Sequence, residues 1–362
     1  MGGPDLETVR ATFDDVDPLT VGIEEEVFLV DPRTRLPAPV AAVVVAEAAD
    51  ARIKPELPAS QVELATRPHD TVEAALRELE ELRLDLLAAC REEVQPVPAA
   101  VHPLVGRGSV AGMTHARELI GRYGEVAERQ LVGALQVHVA VGGADATLAV
   151  FNALRGHLPE LAALAASAPF HLGRDTGLAS VRPLVATQLP RQGTPPVIES
   201  WEAHVDDLRW GAASGAVPAP SWWWWELRPH LRFGTLEVRV PDVQVGLDAA
   251  HAVVAAVHAL VAFLRAEHLD GRELGAPPTW RIAENRWQAL HHGVHGTMAD
   301  LRTGETQPTA QRLHQLLDRI EGHAPTGLDG ARRLVEGNGA DALREVGLDR
   351  AIPWMVEHFV PG

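Results

Sequence analysis

Five short stretches of this chain place polar residues two positions apart. They are Glu24 and Glu26 in VGIEEEVFLV, Gln61 and Glu63 in SQVELAT, Gln136 and His138 in ALQVHVAV, Glu226 and Arg228 in WWWWELRP, and Glu237 and Arg239 in TLEVRV. In an extended strand, residues two apart share a side, so each stretch would set a polar pair on one face and residues such as Val62, Leu64, Val137, Val139, Leu236 and Val238 on the other. The residue types decide what such a face could do. Carboxylates and an imidazole are ligands for Mg²⁺ or Mn²⁺, and guanidinium groups bind phosphate oxygens bidentately. An antiparallel sheet can also simply turn polar residues to water, and for any one pair that reading stands level with the first. The set as a whole favours chemistry, because solvated faces mix Lys, Thr and Ser, whereas these positions concentrate metal and phosphate ligands.

The run of three glutamates sharpens the point. Adjacent carboxylates repel, and burying one without a partner is costly. Glu24 and Glu26 are therefore expected to bind metal, and Glu25, on the opposite face, to pair with an arginine.

The elements that must position these residues can be read from the same pattern. Strands are expected at about 20–30, 60–66, 133–142, 180–187, 222–229 and 234–241, with Trp222 to Trp225 alternating across one of them. Helices are expected at 71–90, at 145–167 with a break near Pro159, and at 247–268. Short connections such as PHLRFG favour antiparallel pairing. The fold class is thus α+β, an antiparallel sheet with helices on its apolar face and a cavity on its polar face. No repeat and no linker divides the chain, which reads as one domain over 1–362 with its core at about 18–345.

Composition excludes several functions. A net charge of −17 over 362 residues and the lack of a basic stripe argue against a nucleic-acid partner. Lys54 is the only lysine and is followed by Pro55, so neither a Walker loop nor a protein-kinase lysine is available. The lone Cys90 lies in a helical run and reads as a buried structural thiol. The start MGGPDLETVR has no signal-peptide pattern, and the apolar stretch from 246 to 264 contains Asp248, His251 and His258, so a cytoplasmic protein away from membranes is expected.

The segments VGIEEEVFLVDP, SQVELATRP, RYGEVAERQLVGALQVHVAVGGADATLAVFNALRGHLPELAALAASAPF, GRDTGLASVR, ELRPHLRFGTLEVRVPDV and ENRWQALHHG, in order from about residue 20 to about 345, resemble the carboxylate-amine ligases of the type 2 glutamate-cysteine ligase family. The resemblance implies a funnel-like sheet of the glutamine synthetase and guanido-kinase catalytic type. It also implies ATP-dependent amide formation through an acyl phosphate, with two or three Mg²⁺ or Mn²⁺ ions and with L-glutamate and L-cysteine as default small-molecule substrates.

By the same resemblance Glu24, Glu26, Glu63, His138 and Glu237 would hold metal. Arg239, Arg228 and Glu237 would be catalytic, and Gln61, Gln136, Arg174, Arg182, Glu226, Asn285 and Arg286 would contact substrate or nucleotide. A homodimer is the candidate assembly. Leu178, Val181 and Pro241 depart from the family pattern, which leaves both substrates open. A metal-dependent phosphotransferase without ligation, or a non-catalytic binding protein on the same fold, are the competing readings. Glu26→Gln and Glu237→Gln are both expected to abolish turnover while sparing the fold.

Overall fold

The structure, a computed structural model, describes residues 4–360. Its main sheet contains β1 (Val21–Val30), β2 (Ile53–Pro55), β3 (Gln61–Ala65), β4 (Gln95–Val97) and β5 (Leu135–Ala140). The two-residue strands β6 (Phe170–His171) and β7 (Arg174–Asp175) form a separate hairpin, and β8 (Leu227–His230) and β9 (Thr235–Val238) complete the main sheet. Its order is β2-β3-β1-β5-β9-β8, with β4 against the end of β1, and every pairing is antiparallel.

Alternation does what the sequence requires of it. Ile23, Val27, Val62, Leu64, Val137, Val139, Leu236 and Val238 are all buried on the face that meets the helices. Helix Val72–Cys90 is capped by Thr71, whose hydroxyl accepts from the Ala74 amide at 3.2 Å. It turns Leu79, Leu82, Leu86 and Cys90 into the core. Helix Leu247–Leu269 is long and apolar enough to cross a bilayer, yet 72% of its apolar window is buried inside the molecule, as expected of a core helix. The helical run after β5 breaks at Arg155–His157, between Ala144–Leu154 and Leu158–Leu164, with Pro159 in the first turn of the second piece.

Glu25 finds the arginine its position demands. Arg83 of helix Val72–Cys90 grips it with Nε at 2.8 Å and Nη2 at 2.5 Å, and both side chains are fully buried. Arg83 also donates to the carbonyls of Gln244, Val245 and Phe359, at 2.9, 3.0 and 2.6 Å. One guanidinium therefore ties the back of β1 to two distant segments.

Two expected strands differ. Segment 180–187 folds as a short helix, Arg182–Ala186, with Pro183 in its first turn, where a missing N–H and a fixed φ cost nothing; only Ser180 makes an isolated bridge, to Ala168. Segment 222–229 is a strand only from Leu227 onward. Pro220–Trp222 forms a single 3₁₀ turn, and Arg228 and Arg191 take the Trp223 and Trp222 carbonyls at 2.7 and 3.1 Å. Guanidinium groups thus satisfy backbone oxygens that a ladder would have used, and the tryptophans do not alternate.

A second buried ion pair sets an acid limit on stability. Glu160 accepts from Arg312 Nε at 2.6 Å beside His157. Burial works against its charge, but His157 and Arg312 outweigh it and hold the carboxyl at about 2. A lowered native value means this contribution is complete above the unfolded pKa near 4.5 and is lost as pH falls toward 2. Unfolding free energy is expected to drop by roughly 3 kcal/mol from this group across that window. Urea midpoints at pH 5 and pH 3 should show a smaller drop for Glu160→Gln than for the parent.

Candidate active site

The register converts five sequence pairs into one surface. Glu26 lies opposite Glu63, Glu24 opposite Gln136, His138 opposite Glu237, and Glu237 opposite Arg228. Directly opposed residues project to the same face of a sheet, so all of these side chains meet above it. The hairpin joining β8 to β9 fixes the last of those pairings. Its Gly234 has φ of 66°, and a Cβ there would lie 2.2 Å from the Thr12 carbonyl oxygen, so only glycine fits the turn.

Glu24, His138 and Glu237 form the tightest group, with ligand atoms all within 4.8 Å of one another. His138 Nδ1 lies 2.9 Å from the Thr235 hydroxyl, while its buried Nε2 has no hydrogen-bond partner and faces Glu24 at 3.6 Å. Burial opposes charge on both, but each stabilises the other's ion, so Glu24 is held low and His138 is raised. Glu237 is fully buried between Arg228, with Nε at 2.5 Å and Nη2 at 3.1 Å, and Arg239. Burial again opposes, yet the two guanidinium groups keep its carboxyl well below the usual range.

The neighbouring carboxylates behave in the opposite way. Burial pushes Glu26 up to about 7, with Arg239 opposing and Glu63 adding to the rise. Glu63 is raised by burial and by Glu24, despite Lys54 Nζ at 3.0 Å. Glu56 is pushed well above the ordinary value by burial and then by Glu63 and Glu26. The cluster is short of positive charge. An unspent imidazole nitrogen beside crowded carboxylate oxygens is a donor set that fits divalent cations.

Arg239 bridges the two groups, donating to both Gln136 and Glu237, and Gln136 in turn donates to Glu26 at 2.8 Å. Glu24, Glu26, Glu56, Glu63, Gln136 and Arg239 line a cavity of about 290 Å³, together with Gln61 and Arg228. A smaller chamber adjoins it, shared through Glu26 and Arg239 and walled by Arg182 and Glu226.

This arrangement can be compared with known proteins. A family model described as glutamate-cysteine ligase family 2 matches residues 20–347. The chain belongs to that family. It is 33% identical over 310 residues to a Rubrobacter xylanophilus protein named for glutamate–cysteine ligase 2-3, covering 84% of each chain. It is 31% identical over 338 residues to the glutamate–cysteine ligase of Natronomonas pharaonis, covering 90% of this chain and 93% of that one.

The fold is shared with two solved proteins at lower identity. Glutamate–cysteine ligase from Francisella tularensis, in complex with AMP, superposes with a TM-score of 0.70 at 14% identity, covering 93% of this chain and 86% of that one. A bifunctional glutathione synthetase from Pasteurella multocida gives 0.72 at 16%, covering 98% of this chain and 53% of that one. The protein is an ATP-dependent carboxylate-amine ligase on an antiparallel, open sheet.

In the ligase the remaining sequence candidates fall into two groups. Gln61 lies on the funnel wall with its amide donating to the Val132 carbonyl at 2.7 Å. Arg182 lines the side chamber while held by Asp242 at 2.7 Å and the Val240 carbonyl at 2.6 Å. Glu226 reaches the same chamber, with Arg286 behind it at 2.6 to 3.0 Å. Arg174 is exposed on the β6–β7 hairpin, and Asn285 joins its amide to both the N–H and C=O of Ala299 at 2.9 and 2.7 Å. The funnel does not include either of them.

Glu56 escaped the sequence reading because it sits in the loop PELP, where no alternation marks it; an acid between two prolines next to the single lysine was its one signal. Two of the family departures, Leu178 and Val181, pack against Val101, Ala168 and Val243 in a small core and do not face the cavity. The expectation that Glu237→Gln spares the fold is also corrected. Glu237 is paired with two arginines, which outweigh its repulsion with Glu24, so neutralising it would leave Arg228 and Arg239 without their counter-ion.

Proposed function

We propose that the ligase activates a carboxylate with ATP as an acyl phosphate and then joins it to an amine. The observation that supports this most strongly is the convergence of Glu24, His138 and Glu237 with Glu26, Glu63 and Arg239 on one concave face. In the first step a substrate carboxylate oxygen bonds to the γ-phosphorus, the bond from that phosphorus to the bridging oxygen breaks, and ADP leaves with the electron pair. In the second a deprotonated amine attacks the acyl carbon, the carbon–oxygen bond to phosphate breaks, and the proton lost by nitrogen goes to the departing phosphate.

The side chains have separable roles in this reading. Glu24, His138 and Glu237, and beside them Glu26 and Glu63, would hold divalent cations, which supply neutralisation of charge between polyphosphate and acid. Arg239, held between Gln136 and Glu237, would bind the transferring phosphoryl group and stabilise its charge. Arg228 keeps Glu237 ionised and oriented. L-glutamate is the acid and L-cysteine the amine that the relatives' names supply.

The test is ADP release with ATP, Mg²⁺ and L-glutamate, with and without added amine, and mass detection of the product. Release that rises at least about tenfold with amine and yields an amide is expected. Equal release without amine would instead mark a phosphotransferase or hydrolase.

A further inference from the structure

The acidic face meets different cationic side chains at its two ends. At the β8–β9 end Arg228 and Arg239 pair with Glu237. At the other end the register sets Lys54 of β2 opposite Glu63 of β3, and Glu63 opposite Glu26 of β1, so the three side chains form a row on the funnel face. Lys54 is the only lysine of the chain, and its Nζ lies 3.0 Å from Glu63 Oε1. A lysine on an edge strand ordinarily points into water and guards against pairing with another chain. This one reaches inward to a largely buried carboxylate while 49% of its side chain stays exposed.

The ends also differ in what their carboxylates can grip. Glu24, His138 and Glu237 bring ligand atoms within 4.8 Å of one another, and among the described residues no other group of three does so. Glu26, Glu56 and Glu63 line the same cavity but repel one another, and Glu63 faces Lys54. Glu24 and Glu56 attract the same ammonium. It sits on a flexible four-carbon stem and is readily hydrated, so little opposes its return to water.

On the reading above, on which this inference rests, Glu26 and Glu63 hold a divalent cation, and that cation and the ammonium need the same carboxylate. We infer that Lys54 is a tethered competitor for the metal: it holds Glu63 in the protein without metal and swings out to water as Glu63 joins Glu26 around a divalent cation. Each then weakens the other's hold on Glu63 by the same factor. The Glu24, His138 and Glu237 group, which lies beyond the Lys54–Glu63 pair, is affected less.

The experiment titrates the full chain with Mn²⁺ alone, following free Mn²⁺ by electron paramagnetic resonance, for the parent, Lys54→Met and Lys54→Arg. Methionine keeps an unbranched stem at a half-exposed edge position, so the fold should tolerate it. Lys54→Met is expected to bind Mn²⁺ at the weaker class of site at least about fivefold more tightly, and Lys54→Arg, which keeps the charge, to stay near the parent. The urea midpoint of Lys54→Met should lie below the parent's without Mn²⁺ and at or above it with saturating Mn²⁺. A lysine that merely braced β2 would not produce that reversal. Unchanged or weaker Mn²⁺ binding in Lys54→Met, or a midpoint lowered equally with and without Mn²⁺, overturns the inference and leaves the metal reading standing. No Mn²⁺ bound by parent or variants removes the metal reading and the inference with it.

Discussion

Glu26→Gln is expected to lower amine-dependent ADP release roughly 10²- to 10³-fold, the range for removing one preorganised electrostatic group, while the urea midpoint stays level or rises. Glu26 sits among Glu56 and Glu63 in a cluster short of positive charge, so a neutral amide of the same shape relieves repulsion. The Ala134 amide, which donates to Glu26 at 2.8 Å, can still donate to a glutamine oxygen, and the acceptor that Gln136 loses is the one hydrogen bond set against the relieved repulsion. Glu237→Gln provides the contrast: turnover should fall comparably, and the urea midpoint should fall as well. Two carboxylates on the same face of the sheet thus carry opposite stability signatures. Near-normal turnover in Glu26→Gln would show that this cluster does not hold the cation the chemistry needs.

Arg83→Ala should cost about 3–5 kcal/mol of stability, the range for breaking a buried ion pair from one side. The change leaves the Glu25 carboxylate buried without a partner and removes the donor from three carbonyls on distant segments. Soluble yield and the urea midpoint are the readouts. The double variant Arg83→Met with Glu25→Leu should recover part of the loss, because it removes both charges together and fills the space with apolar atoms. A cost below about 1 kcal/mol for Arg83→Ala would mean that water reaches the back of β1.

The polar face of the sheet could be read from the sequence because its signal is local. Glu24 with Glu26, Gln136 with His138 and Glu237 with Arg239 share a side by strand geometry alone, whichever strands lie beside them. Glu25 required an arginine for the same reason, since parity placed it among Ile23 and Val27. The misread segments are those where a side chain replaced the ladder. Arg228 and Arg191 bond to the carbonyls of the tryptophan run, and Pro183 starts a helix where alternation suggested a strand. Neither effect leaves a periodic trace.

What the sequence by itself determined is which residues face the same way, because side-chain direction repeats every two residues in any strand. Only the tertiary structure decided which strands are neighbours and in what register. That placed His138 against Glu237, brought Arg83 to Glu25 across 58 positions, and set Glu56 beside Glu26 and Glu63. Such pairings depend on how an entire apolar face packs against its helices, a property of no single stretch of chain, and so they stay out of sight until the fold is closed.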